Sequence, residues 1–283
     1  TLTLENQNAA KTLTVKAAVP NNNAASGLSK FGPGPVVLTG SNSYSGATLI
    51  NEGSLEFNSS SAQKLAGVIS GAGTLIKGGT NQLHLTGANT FTGPVYVNGG
   101  IVRPDLNNTF GTAAGGVFIA NGATLDVGCD SAVGGTRAND ALNLGAEEIT
   151  VAGAGVGDAG ALVNNGNQNQ MSSVQRVLLS DDATFGGKKR WDIRSGFLFL
   201  NDHTFTKTGV SEIAIIAPIY PGSGHMVVNQ GLIRIESGAN MIGTSSNTAT
   251  VNTGAILELY NLAPFEPKWS LILNDRSFFR GSG

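Results

Sequence analysis

The side chains able to do chemistry gather in the second half of the chain. Asp181 and Asp182 are adjacent, Asp192 and Asp202 follow, and His203 and His225 supply imidazoles. Cleaving a polysaccharide needs two or three carboxylates converging within several ångströms. Adjacent residues of a strand face opposite sides, so Asp181 and Asp182 read more simply as a turn pair at a corner. A backbone that returns to the same place at regular intervals would still stack Asp181 on His203, and Asp182 on Asp202 in a similar way. No signature of a sugar hydrolase is met in order. The three His and the single Cys129 are scattered, without the close spacing of a metal site. Gly153-Ala-Gly-Val-Gly opens no helical segment and is not a phosphate loop, and Gly155-Val-Gly-Asp158 does not iterate as a calcium-binding nonapeptide would. Trp191, after Lys188-Lys189-Arg190, is either a sugar-stacking ring or a packing residue. The chain is therefore read as no enzyme, with no catalytic, cofactor-binding or metal-binding residue assigned and no cofactor.

The elements that would position such groups are short strands. Charged residues make up 13% of the 283 residues and glycines number 40. That is about half the usual charge and twice the usual glycine, too few charges for the solvent faces of helices. With a net charge of −2 and no large basic cluster, nucleic acid is excluded as a partner. No apolar run reaches the roughly 18 residues of a membrane helix. A lone cysteine makes no intrachain disulfide. The first residues are neither an initiator Met nor a signal peptide, and the chain is expected to be a processed product or part of something longer.

Repetition sets the architecture. Leu75 to Arg103 finds an earlier copy of itself when Leu75 is laid on Leu28. Lys30 then matches Lys77, Leu38-Thr39-Gly40 matches Leu85-Thr86-Gly87, and Asn42, Tyr44 and Gly46 match Asn89, Phe91 and Gly93. An eroded third copy places Lys207, Gly209, Ile213 and Ile215 at the corresponding positions. A shorter unit, two alternating strands about an Asn-x-Gly corner, recurs at Leu49–Phe57, Val97–Ile101, Ile119–Val127, Val228–Ile235 and Val251–Leu259. Gly and Asn tolerate the positive φ that such corners demand. The interval from Gly100 to Gly122 is nearly that from Gly231 to Gly254, and Gly53 to Gly100 is close to two such steps. A step of this size holds two or three short strands and suits one coil of a β-solenoid, with stacked asparagines forming hydrogen-bonded ladders. About a dozen coils at the strand spacing of about 4.8 Å give a rod roughly 60 Å long.

The element Lys77…Gly79…Leu83-His-Leu-Thr-Gly-Ala-Asn-Thr-Phe-Thr-Gly93…Val97-Asn98…Gly100 resembles the autotransporter-associated β-strand repeat of bacterial surface and secreted proteins. The resemblance implies a right-handed parallel β-helix in a passenger region outside the cell, often a stalk or adhesin, and it carries no catalytic residues. No series of alternating segments for a membrane barrel follows.

The expectation is an all-β, right-handed parallel β-helix (β-solenoid) of about a dozen coils. It forms one repeat domain over 1–283, with a Gly- and Asn-rich interruption around 136–171 and a further break at Ala263-Pro-Phe-Glu-Pro267. Its expected role is a non-enzymatic extracellular structural or adhesive module of a bacterial surface protein, stalk or filament. Its expected partners are itself or flanking repeats end to end, with surface glycans or other surface proteins as further candidates. A polysaccharide lyase or hydrolase would show three carboxylates in a lateral groove, and a glycan-binding module would show exposed aromatics coplanar along one face.

Overall fold

The structure, a computed structural model, describes residues 1–128, 142–236, 239–261 and 268–282. Cys129, the first part of the expected interruption, and the Pro-rich break at 263–267 lie outside the described residues. The chain winds into a parallel β-solenoid of about twelve turns, without an α-helix among the described residues. Every strand pairing among them is parallel.

Each coil has three faces. Face A begins with Leu2–Glu5, Leu28–Phe31, Thr48–Ile50 and Ile69–Ser70, and ends with Glu212–Ile216, Leu232–Glu236, Ile256–Tyr260 and Phe278–Ser282. Face B stacks Val36–Leu38, Ser54–Phe57, Thr74–Lys77, Val95–Val97, Val117–Ile119 and Glu148–Gly153. Face C stacks Gln63–Leu65, Gln82–Leu85, Gly100–Pro104, Ala123–Asp126 and Leu162–Asn164, and later Thr204–Lys207 to Ser270–Leu273. Gln170–Gly187 bends through all three faces, and Trp191–Phe199 through two.

The alternation of the sequence is what makes this possible. On face B, Val36, Leu55, Leu75, Val95, Val117, Ile149 and Val177 lie in one register column, all buried. A single coil has nothing to cover such a row; the coils above and below complete the core. Each buried Leu, Ile or Val contributes about 1.5–3 kcal/mol relative to exposure.

One expectation needs correction. In the clearest repeats the coil is shorter than the step between corner glycines, Leu55 lying under Leu75 and Leu75 under Val95. The interval from Lys30 to Lys77 is therefore two coils plus one face. Gly53 thus turns the corner from face A to face B, whereas Gly100 turns from B to C. Copies one and two match in sequence but sit one face apart, and copy three moves on again: Lys30 is on face A, Lys77 on B and Lys207 on C. The slightly longer steps are nevertheless true coils, since Gly100 and Gly122 share one corner and Gly231 and Gly254 another.

Within the Gly- and Asn-rich stretch around 136–171, the described residues from 142 onward lie on the coils. Leu142 and Leu144 are buried on face A, Glu148–Gly153 and Leu162–Asn164 rejoin faces B and C, and Gly153 to Gly160 makes the corner between them around a short 3-10 turn. Small residues fit because that corner lies close to the previous coil, where a Cβ on Gly153 would collide with Asn121.

Candidate functional site

The first candidate is the corner holding Asp181 and Asp182. Coiling brings His203 beside them, its Nδ1 4.0 Å from Asp181 and 3.9 Å from Asp182. The three side chains offer ligand atoms within 4.8 Å of one another. Both carboxylates are about seven-tenths exposed. Each also serves the turn: Asp181 Oδ1 accepts the N–H of Asp182 at 2.8 Å, and Asp182 Oδ1 accepts that of Thr204 at 2.7 Å. Asp202 looks the other way, its Oδ1 taking the Ser223 N–H at 2.6 Å and the Ser223 hydroxyl at 3.1 Å. Those two donors hold its carboxyl below the ordinary carboxylate range. Asp182 and Asp202 therefore work on successive coils and do not form a pair.

Asp192 has a different setting. It is fully buried and gripped by Arg190 through both carboxylate oxygens, at 2.9 and 3.1 Å, and by Arg194 at 2.8 Å. Burial raises its carboxyl pKa, which the two guanidiniums oppose. From Arg190 the charges continue coil by coil along face A. Glu212 Oε1 bridges Arg190 and Arg234, each at 2.8 Å, and Glu236 pairs with Arg190 at 2.9 Å. Glu258 joins Arg234 at 2.6 Å and Arg280 at 2.9 Å. Every carboxylate in this network faces a guanidinium, so it is built for cohesion and offers no free acid and base. The series Arg190, Glu212, Arg234, Glu258 and Arg280 is visible in the sequence as alternating sign at the coil period. Sequence reasoning missed it by reading the acids one at a time.

Trp191 is a core residue and no sugar platform. It is completely buried, tilted against Phe185 at 5.8 Å, and its indole N–H donates to the Gly186 carbonyl at 2.9 Å. His225 ties coils together, Nδ1 accepting the N–H of Thr248 at 3.2 Å.

The aligned lysines have a specific task. Lys77 stands in an interior column between Phe57 and Val97, buried, and its ammonium reaches into the corner. It donates to the carbonyls of Gly78, of Gly79 at 3.0 Å, and of Gly99 in the next coil at 3.0 Å. Lys207 repeats this with Thr208, Gly209 and Gln230, at 2.6, 2.7 and 3.1 Å, and Lys30 with Gly32 and Glu52. Burial depresses all three ammonium groups, Lys77 and Lys207 to about 8. The glycine of the overlying corner follows from this: a Cβ on Gly53 would meet Lys30 Nζ at 2.5 Å, and one on Gly100 would meet Lys77 Nζ at 2.8 Å. Both glycines also have positive φ, 60° and 64°. The lysine and the glycine one coil later are thus one device, and the sequence showed both halves without the link.

Asparagines bridge coils as expected. Asn252 donates to Asn229 Oδ1 at 2.5 Å, and Asn274 donates to Asn252 Oδ1 along the same corner. The motif residues Asn42 and Asn89 are buried and accept the N–H groups of Val19 and Ile69, at 2.9 and 2.7 Å.

Outward on face B, Tyr96 stacks on Phe118 with centroids 4.8 Å apart and planes 17° apart, and Phe199 on Tyr220 at 4.4 Å and 13°. Rings stacked at the rung spacing hide their faces against one another and present edges, so the column is unsuited to face-on stacking with sugars.

Among the described residues, no helix is long and apolar enough to cross a membrane. The family model described as Passenger-associated-transport-repeat matches residues 28–57 and 75–103, which are the first two copies of the internal repeat. No curated protein and no solved structure matches the chain. With two copies of that repeat in a parallel solenoid, the chain is similar to autotransporter-associated repeat proteins of the passenger type.

Proposed function

We propose that the chain is a non-enzymatic structural and adhesive module at a bacterial cell surface, a segment of a stalk or filament. The observation that carries this reading is the all-parallel stacking of coil on coil, in one sheet from Leu2–Glu5 to Ile69–Ser70 and a second, far longer one that includes Leu13–Val15 and Phe278–Ser282, reinforced inside by the lysine corners and outside by the arginine–glutamate network. Such a rod transmits load through ladders of backbone hydrogen bonds and presents its corners sideways. The carboxylates weighed for catalysis are committed to turns or guanidiniums, which favours this reading over a polysaccharide hydrolase or lyase. Flanking coils are the proposed partner. Leu271, Ile272, Leu273, Phe278 and Phe279 on the outermost described strands are 38–57% exposed, and apolar strand edges of this kind are templates for further pairing.

Electron microscopy of the purified chain tests the architecture: separate or end-joined rods with coils about 4.8 Å apart are expected. Incubation with acidic and neutral polysaccharides tests the chemistry. Depolymerisation that disappears in Asp182→Asn would make the protein an enzyme and overturn the proposal.

A further inference from the structure

A cleft of about 260 Å³ opens where faces A and B meet, between the rung of residues 107–113 and that of 144–147. Beside it, the way coils are joined changes. Leu144 N–H bonds forward to the Ser173 carbonyl at 3.0 Å, but the link back runs through a side chain, Asn143 N–H donating to Asn107 Oδ1 at 3.0 Å. The cleft lies beside this side-chain link, with Glu147 in its lining. Glu147 is only 4% exposed, yet its Oε1 has no hydrogen-bond partner. Leaving a buried acceptor unmet is costly, so such an atom points to something that fills the space.

We propose that this cleft binds one neutral polyhydroxylated ring of monosaccharide size, with Glu147 Oε1 accepting one of its hydroxyls. The lining selects that class. Asn108 and Thr112 bring a carboxamide and a hydroxyl, groups that both donate and accept, as sugar hydroxyls do. Phe110 and Leu144 supply apolar wall. Among the described residues, Glu147 is the one ionisable residue of the lining, so the described wall offers no cation to an anionic ligand and no second carboxylate to a divalent metal. The space lies below the roughly 300 Å³ at which drug-sized pockets begin, room for one ring and not a chain. Burial also lifts the Glu147 carboxyl to about 7, against the pull of the Gly116 N–H, so near neutral pH it too both donates and accepts. The site stands independently of the mechanical role proposed above.

The test is saturation-transfer NMR on the full chain with the methyl glycosides of glucose, galactose, mannose and N-acetylglucosamine. Methylammonium and calcium chloride serve as comparison titrants, and carboxyl carbon shifts follow Glu147. The expected result is saturable binding of at least one glycoside, weakened about tenfold or more by Glu147→Gln and severalfold by Thr112→Val, with unchanged circular dichroism. The bound glycoside, donating to the carboxylate, should also lower the Glu147 titration midpoint. No saturable glycoside signal, or one indifferent to Glu147→Gln, overturns the proposal. A response to methylammonium or calcium alone overturns it as well, by making the site a cation site.

Discussion

Lys77 occupies a position that its neighbours in the same column, Phe57 and Val97, fill with carbon. What holds it there is three carbonyls converging on one corner, from two coils. Removing the ammonium leaves those carbonyls without their donor, so Lys77→Met is expected to cost on the order of 2–3 kcal/mol despite its apolar gain; urea unfolding measures this. The pH dependence has a definite sign. Lys77 and Lys207 release their protons near pH 8 when folded but near 10.5 when unfolded, and between those values the unfolded chain binds more protons. Stability from these residues therefore rises with pH from about 8 towards 10.5, and the rise should shrink in Lys77→Met. Glu147 works in the opposite direction. Its folded value of about 7 lies above the unfolded 4.5, so stability falls as pH rises between them. Glu147→Gln should match the wild type below that window and exceed it above pH 7 by on the order of 1–3 kcal/mol, read from melting curves across pH.

The strands are held in order by devices that repeat at the coil period. The arginine–glutamate network links successive rungs of face A from Arg190 to Arg280. An exposed pair is worth little, but a half-buried network punishes loss of one member, because its partners stay behind uncompensated. Arg234→Met, which leaves Glu212 with Arg190 alone and Glu258 with Arg280 alone, is expected to cost about 1–3 kcal/mol, whereas Arg276→Met at the exposed Asp275 pair should stay within about 0.5 kcal/mol. Comparing their urea midpoints checks the contrast. Much at this scale was legible in the sequence: the alternating strands, the positive-φ corners and the asparagine ladder all follow from residue type and spacing. The rotation of successive repeats by one face was not. Sequence register counts residues whereas coil register counts rungs, and only the pairing of Leu55 with Leu75 and of Leu75 with Val95 converts one into the other. The cleft at Glu147 was equally hidden. It lies beside a coil linked through Asn107, and a glutamate just ahead of the strand that Glu148 opens gives no sign of an unmet oxygen.

For the whole molecule the decisive property is that a stacked fold does not close on itself. Each inner coil is covered twice, while the outermost described strands, Ser270–Leu273 and Phe278–Ser282, pair on one side only. Their apolar groups are not scattered: Leu271 continues the face C column of Ala249, and Phe279 the face A column of Leu257. Together with Trp269 and Leu259 they frame an apolar hollow at this end. A coil with the same three-faced pattern would bury that surface and continue both ladders, whereas a globular partner would meet only its rim. The chain is therefore expected to associate end to end in a concentration-dependent way, seen as faster-sedimenting, elongated species in analytical ultracentrifugation. Leu271→Lys with Phe279→Lys should abolish that association while leaving the inner coils folded, because both residues sit outside the doubly covered stack. If the wild type stays monomeric at high concentration, or the double variant associates as strongly, coil-on-coil addition at this edge is wrong and the lateral corners become the surface through which the rod meets its partners.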